Sequence, residues 1–151
     1  SLLTLLILLV FVSISTAQSI DEIVKEWERA KTYTQEYLDA MPESGYALKP
    51  TPEMRSFAEQ MLHITDANYG FAAIVSGEKS PVGFGESEKT LDKSKANVTK
   101  LVLAGYDFVI ANVKKKAIAL TKLFEHQTHH RGQATVYLRL AQVTPPKEKL
   151  F

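Results

Sequence analysis

The stretch EHQTHHRGQ, residues 125–133, holds three of the chain's four histidines. Residues four apart on an α-helix are stacked on one face. His126 and His130 therefore point the same way, close enough for their imidazoles to share one ion. His129 is three from His126, so spacing by itself allows either pair. The flanking apolar residues help: Leu123, Phe124, Val136 and Tyr137 put the inward face near 123, 126, 127, 130, 134 and 137, which leaves His129 on the flank.

Two histidines on one helix need a third ligand from elsewhere, and His63 is the only histidine left. It lies within AEQMLHITDANYGF, with Phe57, Leu62, Ala67 and Phe71 nearby. A His₃ set with an open position is the pattern of a catalytic rather than a structural metal site. Zinc, nickel and iron(II) all accept imidazole, so the ligands alone leave the metal open. The bland alternatives are a surface histidine pair and a hydrogen-bonded core His63.

Composition narrows the rest. The chain has 151 residues, which suggests one domain, and its net charge of +1 argues against a nucleic-acid binder. The basic run Lys114–Lys116 is short and reads as a solvated helix end. There is no cysteine, so disulfides, thiolate nucleophiles and Cys-based zinc sites are all excluded. Any metal must be held by histidine, carboxylates or water.

Residues 1–17, SLLTLLILLVFVSISTA, carry no charge and hold an apolar run from Leu2 to Ile14 broken by Thr4 and Ser13. This is shorter than the roughly 20 residues a bilayer span needs. It ends in small residues, Ser15-Thr16-Ala17, which fits a signal peptide cleaved before Gln18. It lacks a basic start, so we read the sequence as beginning a few residues into the signal. Residues 18–151 are then the mature domain, exported to the periplasm or secreted by a bacterium, with no stable membrane span after cleavage. A buried N-terminal helix is the alternative, but it would be apolar all round, which a small bundle has no room to bury.

In the mature chain, Ser19 and Glu22 form a capping-box pair, and Ile20, Ile23, Val24, Trp27, Ala30, Tyr33 or Thr34, and Tyr37 recur at helical spacing up to Pro42. A second helix is expected to open at Thr51-Pro52-Glu53 and run to Ser76, with Gly77 as its stop. GEKSPVGFGES is a loop. A third helix is expected from near Ser87 or Thr90, with Leu91, Val98, Leu101, Val102, Tyr106, Val109, Ile110 and Val113 as its stripe. Gly105 inside it would allow a close helix approach. The fourth carries the histidine motif, with Ile118, Leu120, Leu123, Phe124, Val136, Tyr137, Leu138 and Leu140 around it, and ends before Pro145-Pro146. No stretch alternates as a strand does. The expected fold is all-α, an antiparallel four-helix bundle. One junction resists the pattern: NVKKKAIALTKLFEH has no glycine, proline or later asparagine to turn on. Either a turn forms around Asn112–Lys116 against propensity, or a loop is missing from the sequence, or one long helix exchanges its end with a partner subunit.

Taken together, KPTPEMRSFAEQMLHI, GYDFV and HQTHHRGQATVYLRLAQVTPP resemble the DinB/YfiT-like family of metal-binding four-helix bundles, over residues 18 to about 146. The short connection before the last helix departs from the family pattern and bears on the register of the third helix. The resemblance implies His63, His126 and His130 as ligands, in agreement with the facing argument. It also implies a divalent metal, commonly zinc or nickel, with iron or manganese as further options, and frequent homodimers. Characterised relatives include thiol S-transferases and a maleylpyruvate isomerase that uses a low-molecular-weight thiol.

Neighbouring residues have physical readings of their own. Gly132 allows a close approach by a helix or a ligand, and helix packing is the simpler of the two. Gln133, three residues from His130, could hydrogen-bond a ligand imidazole or a bound water, and Asp66, three from His63, could accept a hydrogen bond from one. Arg131 and Arg139 flank the cavity and could hold a carboxylate; the plainer reading is surface ion pairs. Tyr69 and Tyr137 could be acids beside the metal, or simply packing residues. No residue is singled out as directly catalytic. Two functions compete: an exported enzyme whose metal activates a thiol cosubstrate or water for S-transfer or hydrolysis of a small molecule, and a non-catalytic protein that binds metal or is stabilised by it. An open pocket at the metal favours the first.

Overall fold

The computed structural model describes residues 18–149. The expected signal segment, residues 1–17, lies outside them. Four α-helices follow in order: α1 Ile20–Ala40, α2 Phe57–Ser76, α3 Lys95–Lys116 and α4 Thr121–Leu140, with a short 3₁₀ turn at Glu43–Gly45. They form the expected all-α four-helix bundle. α1 packs on α3 and α4, and α2 packs on the same two helices. α4 is thereby flanked by α1 on one side and α2 on the other, so its two flanks face different surroundings.

α1 begins where the capping box places it: Ser19 Oγ accepts from the Glu22 N–H at 3.2 Å, and Glu22 Oε2 accepts from the Ser19 N–H at 2.8 Å. α2 begins later than expected. Thr51 starts only an isolated turn, with the Met54 N–H on its carbonyl at 3.2 Å. The helix opens at a second capping box, Ser56 with Glu59. The Phe57 and Ala58 N–H groups donate back to Leu48 and Tyr46 carbonyls at 3.0 and 2.9 Å, so the first turn is anchored to the preceding loop. The start of α3 is also corrected, from Ser87 or Thr90 to Lys95, with Ser94 as N-cap. The N–H groups of Ser87 and Glu88 are taken by the Asp66 carboxylate at 2.8 and 3.0 Å, which holds that segment as loop. Leu91, placed in the stripe by spacing, is accordingly fully exposed.

The junction between α3 and α4 is a short turn at 117–120, just beyond the stretch first suspected. Ala117 and Leu120 adopt left-handed conformations, φ 53° and 51°. Such a conformation costs a non-glycine residue about 1 kcal/mol or more, and the burial of Leu120, 8% exposed, offsets it. Gly77 ends α2 at φ 73°, as expected.

Trp27 anchors the core, 1% exposed, edge-on to Phe124 at 5.1 Å and tilted against Tyr106 at 6.2 Å. Burying a side chain of this size contributes about 2–3 kcal/mol. Gly105 does bring α3 close to α2: a methyl group there would sit 3.2 Å from Thr65 Cγ2. Gly132 does not behave as expected, because nothing lies within 4 Å of where its Cβ would be. Val136 and Leu140 face solvent, so the buried stripe of α4 is Leu123, Gln127, Arg131, Ala134, Tyr137 and Leu138. Among the described residues no helix is long and apolar enough to cross a membrane.

Candidate metal centre

α2 delivers His63 and α4 delivers His126 and His130 to one spot. One ring nitrogen from each lies within 4.8 Å of the others. Ring centroids are 4.4 Å apart for His126–His130, 4.6 Å for His63–His130 and 5.2 Å for His63–His126. His129 is exposed and turned aside, where the Gln133 amide donates to its Nε2 at 2.9 Å. The pairing left open by spacing is thus decided by the facing of α4 against α2.

The imidazoles are half-buried, and burial favours the neutral form of His126 and His130. Burial lowers the pKa of His130 to about 4, helped by repulsion from His126, His63 and His129. Burial also lowers His126, with His63 and His129 adding to the effect. Neutral imidazole is the metal-binding form. His126 Nδ1 is buried with no hydrogen-bond partner among the described residues. Three convergent imidazoles, one with an orphaned nitrogen, fit a divalent ion that takes nitrogen ligands.

The outer partners differ from those expected. Glu88, from the loop before α3, places Oε1 2.5 Å from His63 Nδ1. Burial pushes the Glu88 carboxyl up, but hydrogen bonds and charge from Arg55 and His63 outweigh it, and its pKa is lowered. Asp66 does not touch an imidazole; it acts one step back, by accepting the backbone N–H groups of Ser87 and Glu88. On the other side the Gln60 amide donates to His130 Nδ1 at 2.8 Å and to Gln133 Oε1. In that arrangement the neutral His130 carries its proton on Nε2. Turning the Gln60 and Gln133 amides over together presents the Gln60 oxygen to the ring, keeps the bond between the two amides, moves the proton to Nδ1 and frees Nε2. Gln60 precedes His63 by three residues on α2, so helical spacing was a usable sign. Glu88 had none, being on an irregular loop.

Tyr69 and Tyr137 are packing residues here. Tyr69 lies edge-on to Phe108 at 5.4 Å, and the Tyr137 hydroxyl donates to the Arg55 carbonyl at 2.8 Å. Arg139 is exposed, whereas Arg131 is 5% exposed and forms no ion pair with a carboxylate among the described residues, contrary to its expected surface role. Beside His126 opens a largely apolar recess of about 490 Å³, lined by Phe71, Val75, Leu120, Thr121, Lys122 and Leu123. The geometry leaves the cluster with a closed side of braced hydrogen bonds and an open, apolar side.

The fold is shared with the crystal structure of a DinB-like protein from Bacillus cereus ATCC 10987, at a TM-score of 0.73 and 20% identity, covering 87% of this chain and 99% of that one. No curated protein is significantly similar in sequence. The family model of the DinB superfamily matches residues 26–134, a span that includes His63, His126 and His130, and the chain belongs to that superfamily.

Proposed function

We propose that the protein is a metal-dependent enzyme whose divalent ion is held by His63, His126 and His130. The observation that carries this reading is the convergence of the three ring nitrogens within 4.8 Å of one another. Zinc or nickel suits such a set best, with iron or manganese as alternatives. A divalent ion held by three imidazoles supplies a lowered pKa to a thiol or water at its open position. The chain's own residues orient the site: Glu88 holds His63, Gln60 holds His130, and the apolar recess beside His126 limits water and receives the apolar part of a small substrate. Because the chain has no cysteine, a thiol would have to come from a cosubstrate, and hydrolysis is the variant that needs none.

Export and homodimerisation belong to the same reading. Export rests on the apolar segment before Gln18, and dimerisation on the family and on exposed Phe71, Ile74, Val75 and Phe84. N-terminal sequencing from the native host is expected to begin at Gln18, and light scattering to give twice the chain mass.

A metal that only cross-links α2 to α4 is the competing reading, favoured by the bracing of His63 and His130. The deciding experiment is metal analysis of the untagged mature protein, followed by assays with thiol acceptors and ester substrates. One equivalent of metal with turnover supports an enzyme. One equivalent with no exchangeable ligand and no turnover supports the structural role, and no metal at all overturns both.

A further inference from the structure

On the face of α4 away from the histidines, a second cavity of about 670 Å³ lies between α1, α4 and the C-terminal segment 144–149. This volume is within the range of small-molecule sites. Its floor is Arg131, a cation that is 95% withdrawn from solvent by the 5% exposure of its residue and has no carboxylate partner among the described residues. The guanidinium rests 4.6 Å over the Tyr33 ring. Its Nη1 donates to Gln127 Oε1 and to Thr34 Oγ1, while Nε and Nη2 donate to nothing among the described residues and are not sealed off. A buried cation ordinarily has a counter-charge, because desolvation is otherwise uncompensated. Of the other cations lining the cavity, Arg29 pairs with Glu26 at 2.6 Å and Lys149 with Glu36, while Arg139 and Lys147 form no ion pair among the described residues; the carboxylate of Glu148 lines the same space without pairing with Arg131.

A second observation points to the same space. Gly132 sits in the middle of α4, where glycine is among the poorest helix formers. No neighbour requires it, since a Cβ would meet nothing within 4 Å, yet it lines this cavity directly beside Arg131. A side chain there would take up part of the space that this cavity offers.

We propose that this cavity binds a small organic carboxylate with a flat apolar body: the carboxylate on the free edge of Arg131, the body over the bare backbone at Gly132 and against Phe124 and Pro146. Arginine presents paired N–H groups that match a carboxylate. The hydroxyl of Thr135 lines the same space and, when it accepts from the Tyr37 hydroxyl at 2.9 Å, can donate to the second oxygen. The site is separate from the histidine cluster and does not depend on the metal reading.

The test is an NMR titration of the as-purified protein with benzoate, and with benzamide as its uncharged isostere, following the Gly132 amide and the Arg131 side chain. Benzoate is expected to bind saturably there, with benzamide at least tenfold weaker. Gly132→Leu, which fills the cavity without a backbone clash, is expected to melt no lower than wild type and to lose at least tenfold in benzoate affinity. Arg131→Gln should lose as much. Binding should persist in His126→Ala, which separates it from a carboxylate held on a metal. Equal binding of benzamide, unchanged binding in folded Gly132→Leu, or loss in His126→Ala would each overturn the proposal.

Discussion

Glu88 grips His63: its Oε1 lies 2.5 Å from the ring Nδ1, and Arg55 holds the same carboxylate at 2.8 Å. A carboxylate on the far nitrogen of a histidine fixes its ring and makes the near nitrogen a better ligand. Glu88→Ala is therefore expected to weaken zinc or nickel binding about 10–100-fold. Gln60→Leu should do the same through His130. Competition with a chromophoric chelator measures both, and wild-type affinity in both would mean that the cluster does not hold the ion.

His126→Ala and His129→Ala test the facing of α4. The first removes one of three convergent nitrogens; metal content should fall and the holo protein should melt at a lower temperature, because the stabilisation conferred by bound metal is lost. His129 is exposed, so its replacement should change stability by no more than about 0.5 kcal/mol. Equal metal content and equal melting in holo wild type and holo His126→Ala would remove the metal role.

Acid should destabilise the metal-free protein through His126 and His130. Their folded-state pKa values lie below the ordinary 6.5, that of His130 at about 4. As pH falls below about 6.5 the unfolded chain takes up protons that the folded one resists, so stability is full above that point and is lost towards pH 4. His126→Ala should flatten part of this slope in urea denaturation measured from pH 7 to pH 4. An unchanged slope in the variant would show that His126 does not contribute.

Glu59 works in the opposite sense. Hydrogen bonds from Lys93 and from the Ser56 backbone hold its pKa at about 2. Its contribution is present above the ordinary 4.5 and disappears as pH falls towards 2. Exposure to solvent screens it, so the larger effect is the cap: Ser56→Ala is expected to cost about 1 kcal/mol. Circular dichroism melts of Ser56→Ala and Glu59→Gln at pH 7 and pH 3 check both parts.

Two of the glycines inside helices, Gly132 and Gly105, should respond oppositely. Gly132→Ala meets open space and should stabilise the fold by about 0.5–1 kcal/mol. Gly105→Leu would press on Thr65 of α2 and should cost about 1–3 kcal/mol. A stabilising Gly105→Leu would mean that α2 and α3 are not tightly apposed there.

The helical stripe of α1, the capping box at Ser19, the stop at Gly77 and the shared face of His126 and His130 were legible in the sequence, because each depends on residues within a few positions of one another. The same local logic misplaced the starts of α2 and α3. Thr51 is as good a cap as Ser56 by type, and Ser56 prevails because Phe57 and Ala58 are tied back to Leu48 and Tyr46. The segment after Ser87 stays out of α3 because Asp66, 21 residues earlier, takes its N–H groups. Glu88 on His63, the buried charge of Arg131 and the empty room at Gly132 were decided by tertiary structure alone. A hydrogen bond or a void between segments far apart in sequence leaves no periodic mark on either, since its energy depends on where the other helices lie. Sequence thus determined which faces exist on each helix. Packing α4 between α1 and α2 decided what each face meets: two histidines turned to a third on one side, and an arginine with open space on the other.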